Sequence, residues 1–369
     1  MIAPYLARIS LLKNQIPHHH LSGMIISKRE NIHYLIGLSS IHPTNREALL
    51  FITSDNVYLY HSAFIQPPKF SWLKTFPMSP GTPLPSLVSQ IFPTKSSIGI
   101  EGNNLTVNEA ANLNSDINLK LEPIPNLVES FRQIKDVSEI SAIQKACRIT
   151  AKTMRWVADS LNRLCANHTS EHSLARMIEN KLLEFGADGL AFPAIVAFDK
   201  HSASPHHLPQ KSKITSQSIV LLDFGCSVSG YASDMTRTFF IGTPPPRFLA
   251  IESVVMAAYQ AALKLLNQHF NLKVLTGTSH KSKFINHKSS LVTAAQVDET
   301  VRSIINQAGY GKNFIHTTGH ALGLEIHEQP SINPQNNLPL QSGMVITIEP
   351  GIYLPGHFGY RHENTLLLQ

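Results

Sequence analysis

Residues 315–329 read I-H-T-T-G-H-A-L-G-L-E-I-H-E-Q. They set His316, His320 and His327 among small and aliphatic neighbours. Gly319 and Gly323 remove side-chain bulk on either side of His320, so another group can approach that ring closely. Leu322, Leu324 and Ile326 alternate with a period of two, which predicts a strand. A neutral imidazole is a strong ligand for a borderline metal ion. One imidazole cannot hold such an ion, so other stretches must supply the remaining donors.

Four carboxylates answer that need. Asp223 ends the apolar run I-V-L-L-D at 219–223, and Glu349 ends V-I-T-I-E at 345–349. Glu363 opens the last apolar run, and Asp234 sits in 231–241, the predicted hairpin partner of 219–225. An ionised carboxylate on an apolar strand is costly unless it is paired or bound to metal. Two divalent cations balance four carboxylates, so the five donors suit a dinuclear site. Bridging carboxylates in such sites hold the ions roughly 3.5–4 Å apart. Oxygen-rich ligation with one imidazole favours Mn, Co, Fe or Zn over a thiolate-selected metal. Each residue alone has a plainer reading: an Asp caps a turn, Glu349 pairs with Arg361, His320 is a satisfied core histidine. The joint pattern is what points to metal.

The composition narrows the class. The chain has 369 residues, 43% hydrophobic and 15% charged, which is globular and long enough for two domains. Apolar runs stay well short of the roughly 20 residues of a membrane span, and no signal-peptide core opens the chain. Cys147, Cys165 and Cys226 are far apart and form no CxxC, which argues against disulfides or a thiolate zinc site and for a cytoplasmic, reducing home. The net charge of +6 comes from dispersed basic residues with no recognition helix or RNA-binding motif, so neither nucleic acid nor a membrane is expected as a partner.

Along the chain, Leu6, Ile9, Leu12 and Ile16 predict a helix. Strands are predicted at 23–27, 48–53, 57–61 and 97–101, with a Pro- and Ser-rich loop over 66–85. Thr106 to Glu109 form a capping box that opens a further helix. These elements predict a small α/β domain. From Asp136, the stripe Ile140, Ile143, Cys147, Thr150, Met154, Val157, Leu161 and Leu164 predicts a long amphipathic helix. A second carries Leu174, Ile178, Leu182 and Phe185, with Gly186 as its stop. Further helices are expected over 246–266 and from Val292–Thr293 onward, and strands at 192–197, 345–349 and 363–368. The polar stretch 267–290, with Lys273, Lys281, Lys283 and Lys288, reads as an exposed insertion.

Five ordered motifs resemble the pita-bread metallopeptidases: L-L-D-F-G at 221–225, S-D-M-T-R-T at 233–238, G-H-A-L-G-L-E-I-H-E at 319–328, T-I-E-P-G at 347–351 and G-Y-R-H-E-N at 359–364. The branch they resemble most is the proline-specific one, Xaa-Pro dipeptidases and aminopeptidase P. E-N-I-H-Y-L-I-G at 30–37 resembles the creatinase/prolidase N-terminal domain, and F-R-Q-I-K-D-V-S-E-I at 131–140 resembles the join. The resemblance covers nearly the whole chain. It implies an α+β fold, with a creatinase-like α/β domain over 1–130 and a pita-bread catalytic domain over 131–369.

It also implies two divalent metal ions, Mn first and Co, Zn or Fe as alternatives, held by Asp223, Asp234, His320, Glu349 and Glu363. Asp234 and Glu363 would bridge, Asp223 would bind one ion, and His320 with Glu349 the other. His206, in P-H-H at 205–207, takes the place of a substrate-binding histidine. His316 and His327 match the other active-site histidines, and Arg361 an arginine beside the last ligand. Glu349 is the expected proton relay. The implied substrates are short peptides with proline second, cleaved at the Xaa-Pro bond by an activated, metal-bridging water, and the implied assembly is a homodimer. The rival class is a non-catalytic binding protein of the same fold, a role for which relatives lose metal ligands. Ala321 stands where the family has glycine, a methyl that is tolerable but adds bulk at the metal pocket, and Phe198, Asp199 and Lys200 replace a small, glycine-containing stretch close to the substrate.

Overall fold

Period-two apolar runs in the first third of the chain build one mixed sheet. Its strand order is Leu73–Pro77, Val57–His61, Ala48–Thr53, Gly23–Ile26, Ser97–Ile100 and Lys120–Pro123. The computed structural model describes residues 3–113, 118–276 and 291–369, and the chain divides into two units, Met1–Arg132 and Gln133–Gln369. In the first, Ile25, Phe51, Val88, Phe92 and Ile98 form the core. The helix Ala3–His18 buries Ile9, Leu12 and Ile16 as their spacing predicts. The capping box at Thr106 forms, with the Glu109 carboxylate accepting from Thr106 N at 2.8 Å and the Thr106 hydroxyl accepting from Glu109 N at 3.2 Å. The Pro- and Ser-rich stretch is not all loop. Leu73–Pro77 pairs in parallel with Val57–His61, because backbone pairing needs no apolar pattern once Leu73 is buried.

The second unit starts at a capping box on Asp136, whose carboxylate accepts from Ser138 N and Glu139 N at 2.8 and 3.0 Å. The helix it opens, Val137–Ala166, buries Ile143, Cys147, Thr150, Met154, Val157 and Leu164. Together with Glu171–Glu184 it covers a three-stranded sheet ordered Thr236–Phe240, Ile219–Asp223, Ile195–Phe198. Pro246–Leu266 and Ala294–Gln307 pack on a five-stranded sheet ordered Leu272–Val274, Asn364–Leu368, Val345–Ile348, Gly319–Ala321, Glu328–Ile332. Pro246–Leu266 has the length and composition of a membrane span. Phe248, Ile251, Val255, Ala258, Tyr259, Ala262, Leu263 and Leu266 are nevertheless buried in this core, so it serves as a core helix. The three cysteines are free thiols.

Four expectations change. The strand predicted at 231–241 is broken: Tyr231–Ala232 pairs with Cys226–Val228, and Thr236–Phe240 with Ile219–Asp223. The strand predicted over Leu322, Leu324 and Ile326 stops at Ala321. The register shifts between His320 and Ala321, and the chain bends away before Glu328–Ile332 returns. Between the predicted strands at 345–349 and 363–368 lies an unforeseen hairpin, Gly351–Leu354 with Phe358–Arg361. The expected exposed insertion begins instead with a strand, Leu272–Val274, paired to Asn364–Leu368, with Phe270, Leu272 and Leu275 buried. The remainder, 277–290 with Lys281, Lys283 and Lys288, lies outside the described residues.

Candidate metal centre

The carboxylates and the imidazole meet where strands of the two sheets end. Asp223 is the last residue of Ile219–Asp223, facing Thr236 in register. Asp234 occupies the break just before Thr236–Phe240, where the interrupted pairing turns its side chain inward. His320 is the middle residue of Gly319–Ala321, its N–H donating to the Thr347 hydroxyl at 3.0 Å. Glu349 follows Val345–Ile348, with its N–H on the Thr318 carbonyl at 2.8 Å. Glu363 precedes Asn364–Leu368, and its N–H donates to the Thr236 carbonyl at 3.2 Å. Two motif glycines make these approaches possible. A Cβ on Gly319 would sit 2.1 Å from the Thr347 carbonyl oxygen, and one on Gly225 would sit 1.7 Å from that of Ser233.

Asp234, His320 and Glu363 offer ligand atoms that all lie within 4.8 Å of one another. His320 Nε2 stands 3.4 Å from Glu349 Oε1 and 3.6 Å from Asp234 Oδ2, too far for good hydrogen bonds. Asp223 Oδ1, Asp234 Oδ1 and Glu363 Oε1 are buried with no hydrogen-bond donor. Burial, and then the neighbouring carboxylates, raise Asp234 and Glu363 well above the carboxylate range. Burial pushes Glu349 up to about 7. It also takes His320 down to about 3, which keeps the imidazole neutral and able to ligate. Donorless buried oxygens around a neutral imidazole form a cage short of positive charge, and divalent cations fit it.

Around the cage runs a hydrogen-bonded rim. Arg361 bonds Asp223 Oδ2 through Nη2, donates to the Tyr353 hydroxyl through Nη1 at 2.8 Å, and reaches the Thr236 hydroxyl through Nε at 3.1 Å. The plainer reading of Glu349, an ion pair with Arg361, gives way to this pairing with Asp223. Thr236 in turn donates to Glu363 Oε2 at 2.6 Å. Burial opposes the charge on Arg361, but Tyr353, Asp223, Glu349 and Glu363 overcome it and hold the guanidinium firmly protonated. Tyr353 Oη lies 2.9 Å from His316 Nε2, and His316 Nδ1 lies 2.7 Å from the Thr317 carbonyl. Since Arg361 donates to the phenol oxygen, the phenol proton points at Nε2, and His316 carries its proton on Nδ1. Burial lowers His316 to about 3, with Arg361 adding repulsion. The His327 ring stands edge-on to that of His320 at 4.5 Å. His206 is exposed and near enough to His316 and His327 to repel protonation of both.

Ala321, Phe198 and Asp199, which depart from the family pattern, pack into or brace the scaffold. Ala321 is buried in the core with Ile332, Ile346 and Ile348. Phe198 is a core residue, and the Asp199 carboxylate accepts from Ile219 N at 2.9 Å and from the Ser218 hydroxyl at 3.1 Å, so both serve the scaffold. Thr236, Tyr353 and Glu171 escaped the sequence reading. Thr236 lies inside a quoted motif, but neither Tyr353 nor Glu171 stands in a recurring pattern.

A fold of two units with a carboxylate–imidazole cage at its strand ends defines a pita-bread metallopeptidase. The family model for metallopeptidase family M24 matches residues 141–369, and that for the creatinase/prolidase N-terminal domain matches 8–134. An uncharacterized peptidase of Staphylococcus epidermidis is 34% identical over 276 residues, 74% of this chain and 71% of that one. An Xaa-Pro dipeptidase of Pyrococcus furiosus is 28% identical over 98% of this chain and 94% of its own. The structure of an Xaa-Pro dipeptidase from Bacillus anthracis superposes with a TM-score of 0.84 at 25% identity, covering 99% of this chain and 95% of that one. The chain belongs to metallopeptidase family M24, whose enzymes use divalent metal ions.

Proposed function

We propose that the chain hydrolyses the Xaa-Pro bond of dipeptides or short peptides, using two divalent ions held by Asp223, Asp234, His320, Glu349 and Glu363. The observation that carries the metal part is the set of three buried carboxylate oxygens without donors beside a neutral His320. Likeness along almost the full length to Xaa-Pro dipeptidases supports the substrate part. Mn is the first candidate ion, with Co, Zn and Fe as alternatives.

When bound, the ions supply an activated water and polarise the scissile carbonyl. The chain supplies the rest. Glu349 is the proton relay in this reading, taking a proton and passing it to the leaving nitrogen. His206 and His327 are exposed imidazoles, and in this reading they donate hydrogen bonds to the developing oxyanion or bind the product carboxylate. Arg361 holds Asp223 and, through Tyr353, fixes the tautomer of His316. The tertiary-amide nitrogen of an Xaa-Pro bond carries no N–H, so the site needs no acceptor for one.

The test is turnover of Xaa-Pro dipeptides, Xaa-Pro-Yaa tripeptides and Xaa-Ala controls after metal stripping and Mn reloading. Mn-dependent release from the proline substrates, at least tenfold over Xaa-Ala, is the expected result. Equal cleavage of Xaa-Ala rules out the proline assignment, and full activity in the stripped enzyme rules out the metal assignment. The active unit is taken as a homodimer, as the family resemblance implies, in the reducing cytoplasm that the cysteine usage suggests, and sedimentation at assay concentration checks the assembly.

A further inference from the structure

A second cluster of ligand-type side chains lies outside the cage: Glu171, His201 and His207. The Glu171 carboxylate has no exposed surface, and four donors converge on it. Phe198 N and His201 Nδ1 reach Oε1 at 2.7 and 2.8 Å, while His207 Nε2 and Gln210 N reach Oε2 at 2.8 Å each. The two imidazole rings stack with centroids 4.5 Å apart. The donors come from positions 198, 201, 207 and 210, so one carboxylate gathers a whole segment of chain. Within that segment lies His206. The segment also touches the rim of the cage. The Pro205 carbonyl accepts from Arg361 Nη1 at 3.4 Å, and the Ser202 hydroxyl accepts from Gly359 N at 2.9 Å.

This cluster differs physically from the cage. At His320 the imidazole-to-carboxylate distances are 3.4 and 3.6 Å, and three carboxylate oxygens lack donors. At Glu171 each oxygen has two donors at hydrogen-bonding distance, and both imidazoles have their protons committed. A satisfied carboxylate of this kind ties the backbone and leaves nothing over for a cation.

We propose that Glu171, His201 and His207 are positioning residues: they cinch segment 198–210 onto the helix Glu171–Glu184 and thereby set His206 over the metal centre. The proposal rests on the substrate-contacting role given to His206 above. A misplacement of about 1 Å in such a group costs on the order of 10²-fold in rate.

The experiment is a double-mutant cycle on the Mn-loaded enzyme with an Xaa-Pro dipeptide, joined to hydrogen exchange and metal analysis. His207→Ala is expected to lose about as much kcat/KM as His206→Ala, with the double variant within about twofold of the worse single. His207→Gln keeps a side-chain N–H and is expected to recover most of the loss, an outcome that a general packing defect would not give. Amide exchange across 198–210 is expected to accelerate in His207→Ala and Glu171→Ala with bound metal unchanged. Multiplicative losses in the cycle overturn the proposal, as does unchanged exchange. Loss of metal from His201→Ala or His207→Ala overturns it in favour of a metal site. Full activity of His206→Ala removes the role on which it rests. If wild-type enzyme cleaves no Xaa-Pro peptide, the function reading has failed, and the exchange arm decides the clasp by itself. If Glu171→Ala does not fold, the His207→Ala and His207→Gln pair decides it.

Discussion

At the scale of the residue, the candidate centre gathers carboxylate oxygens that lack hydrogen-bond donors. His320→Ala removes the neutral imidazole from a cage of raised carboxylates. Turnover is expected to vanish, with the far-UV circular dichroism of the surrounding helices kept. Thr236 acts one step out: its hydroxyl accepts from Arg361 Nε and donates to Glu363 Oε2. Thr236→Val keeps the shape and deletes both bonds. Mn affinity is expected to fall about 10–100-fold, the usual cost of losing an outer partner of a ligand, and a Mn titration measures it. His320 and Glu363 were legible as candidate donors because their residue types are conspicuous on apolar strands. Thr236 was not, since a threonine in a strand has an ordinary reason to be there.

At the scale of the element, two clasps hold parts that the chemistry uses or surrounds. Lys135 Nζ pairs with Glu328 Oε2 at 3.1 Å, with 1% and 6% of the side chains exposed. That pair anchors the bend that carries His327. Lys135→Ala removes this buried cation from beside Glu328 and is expected to lower the urea midpoint of the transition. In the N-terminal unit, Arg46 holds Glu109 down to about 2 by hydrogen bonds. The folded value lies below the unfolded one, so this stabilisation is complete above the ordinary glutamate value of 4.5 and is lost as pH falls toward about 2. Arg46→Met is expected to flatten the acid side of that unit's stability curve between these limits, followed by thermal melts across pH. Helices and caps of this kind were largely readable, because a stripe or a capping box is written in a few consecutive residues. The short strand Leu73–Pro77 and the hairpin Gly351–Leu354 with Phe358–Arg361 were not, because their pairing is made by backbone and by neighbours distant in sequence.

At the scale of the whole molecule, metal and stability are linked. The unit Gln133–Gln369 contains all five candidate donors, and the metal-free cage holds mutually repelling carboxylates. Ions that bind only the folded state add about 2.7 kcal/mol at a free concentration of 100 Kd. For a unit of this size that moves the melting temperature up by roughly 5–10 °C. Scanning calorimetry of stripped and Mn-loaded protein checks it, and an unchanged transition would leave the cage without its proposed occupants.

The amino-acid sequence by itself determined the chemistry available: the acids on apolar runs, the histidine between glycines, the amphipathic helices and their caps. Each of these is a local pattern that elementary energetics makes readable. The tertiary structure alone decided which donor meets which. Arg361 went to Asp223 across 138 positions rather than to Glu349, and Glu171 gathered four donors from a segment beginning 27 residues downstream. Such pairings follow from where strand ends converge, and no period or motif along a chain encodes that convergence.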